Sequence, residues 1–330
     1  MGETKKRSKG RKPLTGVSTI PAETAALAHG DAKSLKSLYA RHDGKVSDKW
    51  SLYIEEYDRL FKPFRDRTIR MLEIGIQNGG SLECWSKYFW CADRIVGCDI
   101  EPSCAALLYA DTRIELVVAD INSDKTQRAI AKRGPFDIVI DDGSHHCKDV
   151  IGSFVRYFPC VAYGGFYVIE DLHASYWREF GGGLYHPHSS IAFFKSLIDV
   201  VNREHWGVDK LCSDFLVGFQ SQYGIHLSEG VFRTIHSVEF LNSLCIIKKQ
   251  TARNNTLGRR IVAGHAETVA PGLRRLNGTK IAKTNGPLKI KSKPWPPQTN
   301  ATNGRGRQPR TGGEAAGMAE IASRDRDACH

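Results

Sequence analysis

The sequence predicts a doubly wound α/β domain with a mostly parallel sheet, a C-terminal antiparallel hairpin and a helical N-terminal extension. Three observations predict this class. Short apolar segments alternate with helix-like segments between residues 67 and 250. The apolar segments carry hydrophobic residues at consecutive positions, which is typical of parallel strands buried on both faces. The last two apolar segments lie close together along the chain, which predicts a hairpin.

The elements follow one another in a regular order. Residues 22–62 have the apolar spacing of helices. Strands are predicted at residues 68–76, 94–100, 114–120, 136–142 and 164–171. Helices are predicted at residues 81–90, 103–109, 124–133, 148–158 and 189–206. The predicted hairpin pairs residues 231–240 with residues 243–250.

Charge and composition divide the chain into four segments. The prediction is a disordered basic N-terminus, a helical segment, the α/β domain and a disordered basic tail, at residues 1–20, 21–66, 67–250 and 251–330. Residues 1–13 have a net charge of +5 and residues 248–330 of +12, whereas residues 14–247 have −6. Basic tails can attract nucleic acid, but Trp295 is the one Phe, Tyr or Trp residue interleaved with this charge. The sequence therefore disfavours a nucleic-acid partner.

The cysteines and the hydropathy pattern bear on the cellular compartment. Nine cysteines are scattered along the chain, and none forms a CxxC pair. An odd number of scattered thiols predicts a reducing compartment. No apolar segment follows the basic N-terminus, and no run of about 18 apolar residues occurs. We therefore expect a cytoplasmic protein with no membrane partner.

The first predicted strand runs into a glycine-rich turn, in the stretch LEIGIQNGG, that could approach a cofactor. Ligands of open α/β sheets bind outside the carboxyl ends of the strands. Asp99 ends the second strand, 24 residues after Gly75, where it could accept hydrogen bonds from both ribose hydroxyls. Glu73 suits the cationic groups of S-adenosylmethionine better than the pyrophosphate of NAD. The pattern therefore favours S-adenosylmethionine, and NAD-dependent oxidoreduction is a weaker alternative.

Acidic residues also end the later strands, in the stretches FDIVIDDGSHH and GGFYVIED. Asp142, Glu170 and Asp171 converge if these strands are neighbours, and clustered carboxylates indicate either raised pKa values or a bound cation. Oxygen ligands favour Mg²⁺, although surface acids beside helix N-termini remain an alternative. His145 could accept a proton on the turn above the sheet, and we expect His146 to be structural.

Six stretches of the sequence resemble the macrocin and mycinamicin sugar O-methyltransferases. They are SDKW, LEIGIQNGGSLECW, IVGCDIEP, FDIVIDDGSHH, SFVRYFP and GGFYVIEDLHASYW. These proteins are Mg²⁺-dependent class I S-adenosylmethionine methyltransferases of macrolide biosynthesis, with a Rossmann-like sheet. The resemblance covers residues 46–182 and extends more loosely to residue 250. One departure is VADINS after the third strand, where the family often has Gly-Asp-Gln.

The resemblance implies a role for each site residue. The implied metal ligands are Asp142, Glu170 and Asp171, and His145 is the implied general base. The implied cofactor-binding residues are Glu73, Gly75, Gly79, Ser81, Asp99, Ile100, Asp120 and Asp141. Tyr176 and Trp177 are expected to line the acceptor site. The implied reaction is an EC 2.1.1 methyl transfer to a sugar hydroxyl, with Mg²⁺ lowering the pKa of that hydroxyl.

The resemblance also bears on partners and leaves alternatives. It implies a small glycoside or saccharide as acceptor, without identifying it, and a homo-oligomer formed through the N-terminal segment. A related cephalosporin-hydroxylase-like group shares the fold and some of the motifs, and its chemistry could differ. A third alternative is a nucleic-acid-associated methyltransferase or binding module that uses the basic tails, but the sequence has no Asn-Pro-Pro-Tyr-type motif.

Overall fold

Among residues 34–281, which the computed structural model describes, seven strands form one sheet. The strands are β1 (Arg70–Ile74), β2 (Arg94–Asp99), β3 (Ile114–Val118), β4 (Phe136–Asp141), β5 (Val161–Ile169), β6 (Ile235–Leu241) and β7 (Leu244–Lys249). Their order is β3-β2-β1-β4-β5-β7-β6. β1 to β5 are parallel, and β7 is antiparallel to both β5 and β6. The predicted mostly parallel sheet with a C-terminal hairpin is therefore confirmed.

Helices cover both faces of the sheet. They are α1 (Leu35–Ala40), α2 (Ser51–Phe61), α3 (Gly80–Tyr88), α4 (Asp124–Ala131), α5 (Cys147–Tyr157), α6 (Ser190–Val201), α7 (Val217–Tyr223) and α8 (Glu229–Phe232). Successive side chains of a strand point to opposite faces. In β4, Val139 belongs to the core that contains Phe154 of α5, whereas Ile138 and Ile140 belong to the core that contains Trp85 of α3. Burial on both faces explains the continuous apolar sequence of this strand.

The order in which the chain adds strands to the sheet reverses between β1 and β4. From β1 the chain proceeds outward through β2 and β3, and it then returns to β4 on the other side of β1. A crevice forms at such a reversal, outside the carboxyl ends of the strands, and it is the usual ligand site of open α/β sheets. The residues that follow β1, β4 and β5 therefore lie where a ligand is expected to bind.

The N-terminal segment departs from the predicted run of helix over residues 22–62. Residues 22–33 lie outside the described range, and residues 41–50 form an irregular connection between α1 and α2. Gly44, a poor helix former, lies in this connection. The connection is attached to α3, because the backbone N–H of Gly80 donates to the carbonyl of Val46 at 3.2 Å. It thereby places residues 45–50 beside the end of β1.

Three further differences concern the C-terminal half. The predicted helix 189–206 ends at Val201, and short 3₁₀ helices follow it. The predicted strand 231–240 begins only at Ile235, because residues 229–232 form α8. The sequence also gave no indication of α7. These short helices are stabilised by packing against the core around α6 rather than by a long periodic pattern.

The terminal predictions fall largely outside the described residues. The predicted disordered N-terminus at residues 1–20 does so entirely, as do residues 282–330 of the predicted tail. Residues 251–281 contain two 3₁₀ turns, Ala252–Asn254 and Leu273–Leu276. Within the described residues, no helix has both the length and the apolarity that a bilayer crossing requires.

Candidate active site

Three neighbouring strand ends bring the predicted acidic residues together. Asp141 is in register with Ile74 of β1 and with Ile169 of β5. The backbone N–H of Asp142 donates to the carbonyl of Ile74 at 2.8 Å, and that of Glu170 donates to the carbonyl of Asp141 at 2.9 Å. The residues that follow β1, β4 and β5 therefore lie side by side at the same edge of the sheet.

Asp142, His145 and Asp171 form an open cluster beyond these strand ends. Nε2 of His145 lies 3.9 Å from Oδ1 of Asp142 and 3.8 Å from Oδ2 of Asp171. One possible ligand atom from each residue lies within 4.8 Å of the other two, and all three residues are partly exposed. Carboxylate oxygens suit a hard divalent cation such as Mg²⁺. The donor atoms of this cluster therefore fit the metal that the sequence predicts.

Glu170, the third predicted ligand, lies behind the open cluster. Its side chain is 2% exposed, and Oε1 accepts hydrogen bonds from the hydroxyl of Tyr57 at 2.6 Å and from Nζ of Lys49 at 2.8 Å. Nζ of Lys49 also lies 2.5 Å from Oδ2 of Asp142 and 3.4 Å from Oε1 of Glu73. A single ammonium group therefore contacts three carboxylates.

Burial and the Lys49 charge have opposite effects on these carboxyl groups. Burial raises the pKa of Asp142, Glu170 and Glu73, while attraction to Lys49 opposes the rise in each case. Burial disfavours the charged form of Lys49. The three carboxylates outweigh that effect and raise its pKa well above the ordinary value. Lys49 is therefore a cation at neutral pH.

The N-terminal segment supplies further residues of the site, to which the sequence analysis gave no role. Nε1 of Trp50 donates to Oδ1 of Asp171 at 3.0 Å, and the hydroxyl of Tyr53 donates to the same oxygen at 2.9 Å. Tyr53 and Tyr57 are four residues apart on one face of α2, and Trp50 is the N-cap residue just before this helix. This spacing, next to Lys49 in the stretch SDKW, is the signal that could have identified them.

The glycine-rich turn after β1 takes the conformation that its sequence requires. Gly75 and Gly79 have φ values of 81° and 77°, in the region that favours glycine. Oδ2 of Asp99 accepts hydrogen bonds from the backbone N–H groups of Ile76 at 2.8 Å and Gln77 at 3.0 Å. Asp99 therefore fixes this turn, and its contact with a ribose stays a prediction.

A cavity of about 860 Å³ lies at the switch point of the sheet. Pockets for small ligands and cofactors commonly measure about 300–1,000 Å³. The predicted cofactor residues that line it are Gly75, Asp99, Ile100, Asp120 and Asp141. Asp142 also lines it, so the cavity reaches the open cluster. Residues 223–226, from the last residue of α7 onward, contribute to its wall and were not identified from the sequence.

Three predicted cofactor residues, Glu73, Gly79 and Ser81, lie outside the lining of this cavity. Glu73 is fully buried, and its Oε2 accepts a hydrogen bond from Oγ of Ser81 at 2.7 Å. Ser81 instead lines a second cavity, of about 20 Å³, together with Lys49, Gln77 and Asp142. The predicted cofactor contacts of Glu73 and Ser81 stay predictions, and the contacts that the structure gives them are within the protein.

The loop after β5 places aromatic rings beside the open cluster. Tyr176 and Trp177 are 40% and 48% exposed. The ring of Trp177 lies 5.0 Å from that of His173, which lies 6.4 Å from that of Trp50. Nδ1 of His173 is 3.9 Å from Oδ1 of Asp171. Exposed aromatic faces next to a polar centre can pack on the apolar face of a ligand.

Comparison with known proteins gives several matches to methyltransferases. The chain is 38% identical over 191 residues to 8-demethyl-8-alpha-L-rhamnosyl tetracenomycin-C 2'-O-methyltransferase of Streptomyces olivaceus, covering 54% of this chain and 50% of that protein. It is 40% identical over 195 residues to demethylmacrocin O-methyltransferase of Streptomyces fradiae, covering 55% and 48%. The chain thus spans about half the length of these relatives. No protein-family model matches the chain.

Solved structures give the same result. The MycE methyltransferase of the mycinamycin biosynthetic pathway, in complex with Mg and SAH, is 30% identical, with a TM-score of 0.55 over 71% of this chain and 60% of that one. A second MycE structure, which also contains mycinamycin VI, is 28% identical, with a TM-score of 0.55 over 74% and 67%. This chain is therefore similar in sequence to these named O-methyltransferases over about half of their length, and it has the fold of the MycE methyltransferase.

Proposed function

We propose that this chain is an S-adenosylmethionine-dependent O-methyltransferase that methylates a hydroxyl group of a glycoside with the help of a divalent metal ion. One observation carries the proposal: the open cluster of Asp142, His145 and Asp171 adjoins a cofactor-sized cavity at the switch point of the sheet. The relatives are named O-methyltransferases, and the MycE structures contain Mg and SAH. The hydroxylase-like, nucleic-acid and NAD-dependent alternatives receive no comparable support.

The cofactor would occupy the large cavity. Gly75 lines this cavity and lets the turn after β1 pack against the backbone of Asp142, because a Cβ atom there would lie 2.0 Å from the carbonyl oxygen of Asp142. Asp99 and Asp120 line the same cavity and could accept hydrogen bonds from a nucleoside. S-adenosylmethionine bound there would supply an electrophilic methyl group.

The metal would be held by Asp142 and Asp171, with Glu170 as the ligand behind them. Mg²⁺ is the expected ion, since the carboxylates are hard oxygen donors. A divalent cation so bound would act as a Lewis acid towards an acceptor hydroxyl. Trp50 and Tyr53 would keep Asp171 in place through their hydrogen bonds to its Oδ1.

His145 would act as the general base. Its Nε2 faces the two carboxylates from the partly exposed side of the cluster. Imidazole is the side chain that most often transfers protons in enzymes near neutral pH. The acceptor proton would pass to this nitrogen, and most of the remaining rate enhancement would come from positioning the acceptor against the methyl group.

The acceptor is expected to be a small glycoside. The relatives act on glycosylated small molecules according to their names, and one MycE structure contains mycinamycin VI. Tyr176 and Trp177 would line the acceptor side, where their exposed rings could cover the apolar face of a sugar.

The first test measures cofactor binding and methyl transfer with the full chain. Calorimetry with S-adenosylmethionine, in Mg²⁺ and in EDTA, should give micromolar binding in both conditions, because His145 and Asp171 of the open cluster do not line the cavity. Transfer of a labelled methyl group to a panel of glycosides should require Mg²⁺. The proposal is wrong if the folded chain does not bind S-adenosylmethionine in either condition.

We further infer that the protein works in the cytoplasm. The eight cysteines within residues 34–281 are unpaired. Free thiols persist in a reducing compartment. Fractionation of cells that express the chain would test this inference, and recovery from an oxidising compartment would contradict it.

A further inference from the structure

The ammonium group of Lys49 is shared between two proposed metal ligands and a third carboxylate. Its side chain is 2% exposed, although it extends from an irregular connection rather than from the core. Nζ contacts Asp142 at 2.5 Å, Glu170 at 2.8 Å and Glu73 at 3.4 Å. Lys49 therefore provides a positive charge within the carboxylate group that is proposed to hold the metal.

A metal ion would need carboxylates that Lys49 already engages. Oδ2 of Asp142 accepts a hydrogen bond from Lys49, while Oδ1 faces the open cluster. Oε1 of Glu170 accepts hydrogen bonds from both Lys49 and Tyr57. A cation on these carboxylates would therefore share them with the ammonium. Two positive charges at such short range repel strongly where water is largely excluded.

A purely structural counter-ion accounts for only part of this arrangement. One ammonium does not balance the three carboxylates that it contacts once all three are ionised. Oε1 of Glu73 is buried and lies 3.4 Å from Nζ of Lys49, while Oε2 accepts a hydrogen bond from Ser81. A buried charge without sufficient compensation destabilises a fold. The site therefore retains an attraction for a second cation.

We propose that Lys49 is a positioning residue that keeps Asp142 and Glu170 in place in the metal-free protein and competes with the metal ion for them. This inference rests on the proposed function, which assigns the metal to these carboxylates. Replacing Lys49 should therefore have a different effect from replacing a metal ligand or an ordinary structural residue. Removing the Lys49 charge should tighten metal binding and make the stability of the fold depend on the metal.

The first experiment measures Mn²⁺ binding by electron paramagnetic resonance and calorimetry on the full chain. Lys49→Met should bind Mn²⁺ at least about tenfold more tightly than the wild type, because a neighbouring positive charge has been removed. Lys45→Met is the matched control. Lys45 lies in the same connection, and its Nζ pairs with Oε1 of Glu83 at 2.7 Å. Mn²⁺ binding by Lys45→Met should stay within about twofold of the wild type, since Lys45 pairs with Glu83 and not with a proposed metal ligand.

The second experiment measures thermal unfolding in EDTA and in Mn²⁺. In EDTA, Lys49→Met should unfold at a lower temperature than the wild type, and Mn²⁺ should raise its midpoint by more than it raises that of the wild type. If Lys49→Met does not fold in EDTA, the comparison moves to the Glu73→Gln background. The Glu73→Gln change removes one buried negative charge next to Lys49, and Glu73 is not a proposed metal ligand.

The outcomes separate this inference from the proposed function. Mn²⁺ binding by Lys49→Met that is equal to or weaker than that of the wild type overturns the competition. In that case Lys49 would support the ligands without opposing the ion. If the wild-type protein binds no Mn²⁺ at all, the proposed metal site itself is wrong, whatever the variant does.

Discussion

His145 and Asp171 face each other across the site, and both have a left-handed backbone. Their φ values are 58° and 53°, and Nε2 of His145 lies 3.8 Å from Oδ2 of Asp171. Residues other than glycine rarely take this conformation, and such residues concentrate at functional sites. His145 lies in the turn after β4, and Asp171 lies just after the end of β5. The backbone therefore turns both side chains towards the same open cluster.

The first prediction separates a catalytic role of His145 from a ligand role. His145→Asn should lower kcat by about 10²–10⁴-fold, as expected for loss of a general base. Asparagine tolerates the left-handed conformation, so the backbone should be retained. Mn²⁺ affinity should stay within about threefold, because carboxylates are the preferred ligands. A large loss of Mn²⁺ affinity would instead make His145 a ligand.

The neighbouring histidine provides the control for this experiment. The ring of His146 lies 5.2 Å from that of Phe180, and its backbone caps α5. His146→Asn should keep kcat within about threefold, since asparagine is a good helix N-cap. Equal losses of kcat in both variants would indicate a general disturbance of this turn.

The second prediction concerns the close approach at Gly75. Alanine in the left-handed region costs about 1–2 kcal/mol from backbone strain alone. Gly164 isolates that effect, because it has a φ of 91° and no neighbouring heavy atom within 4 Å of a Cβ atom. Gly164→Ala should lose about 1–2 kcal/mol of unfolding free energy and keep S-adenosylmethionine binding.

Gly75→Ala should lose more stability than Gly164→Ala. Its Cβ atom would also lie 2.0 Å from the carbonyl oxygen of Asp142, so the turn must shift. Cofactor binding should weaken at least about tenfold, since the cavity wall moves with the turn. Urea unfolding and calorimetry measure the two effects. Equal stability and equal cofactor affinity in the two variants would contradict the close approach as the reason for glycine at this position.

The sequence identified the parallel strands and their acidic ends because both are local patterns. The apolar runs and the motif after β4 required no knowledge of distant contacts. The contribution of Lys49 could not be found in this way, since it contacts Glu170 across 121 positions of the chain. The burial of Glu73 was equally hidden, because a carboxylate at a strand end suggests exposure until a buried lysine is placed beside it.

The third prediction tests the support of Asp171 by α2. The Tyr53 hydroxyl donates to Oδ1 of Asp171 and accepts from its backbone N–H at 3.1 Å. Tyr53→Phe should lower the unfolding free energy by about 1–3 kcal/mol, because a buried polar group loses its partner. Mn²⁺ binding should weaken by about 10–100-fold, as for loss of a group that orients a ligand. Tyr163→Phe, at a site that is 62% exposed, is the control. Unchanged Mn²⁺ binding in Tyr53→Phe would mean that Trp50 alone holds Asp171.

The fourth prediction concerns Asp141, whose carboxyl group is buried at the end of β4. Burial raises its pKa from 3.8 to about 6, although hydrogen bonds from Ser153 and Tyr167 oppose the rise. The folded state therefore holds the proton more tightly than the unfolded state. The associated stability is complete below pH 3.8 and is lost as the pH rises through about 6. A rise of this size corresponds to about 3 kcal/mol.

Asp141→Asn should remove this pH dependence, because asparagine does not titrate. Relative to the variant, the wild type should lose about 3 kcal/mol of unfolding free energy as the pH rises from about 3.5 to about 7. Urea unfolding at several pH values measures this difference directly. It also cancels the contributions of the other acids, which both proteins share. Parallel curves would show that the hydrogen bonds from Ser153 and Tyr167 compensate fully for burial, so that the pKa of Asp141 is the same in the folded and unfolded chains.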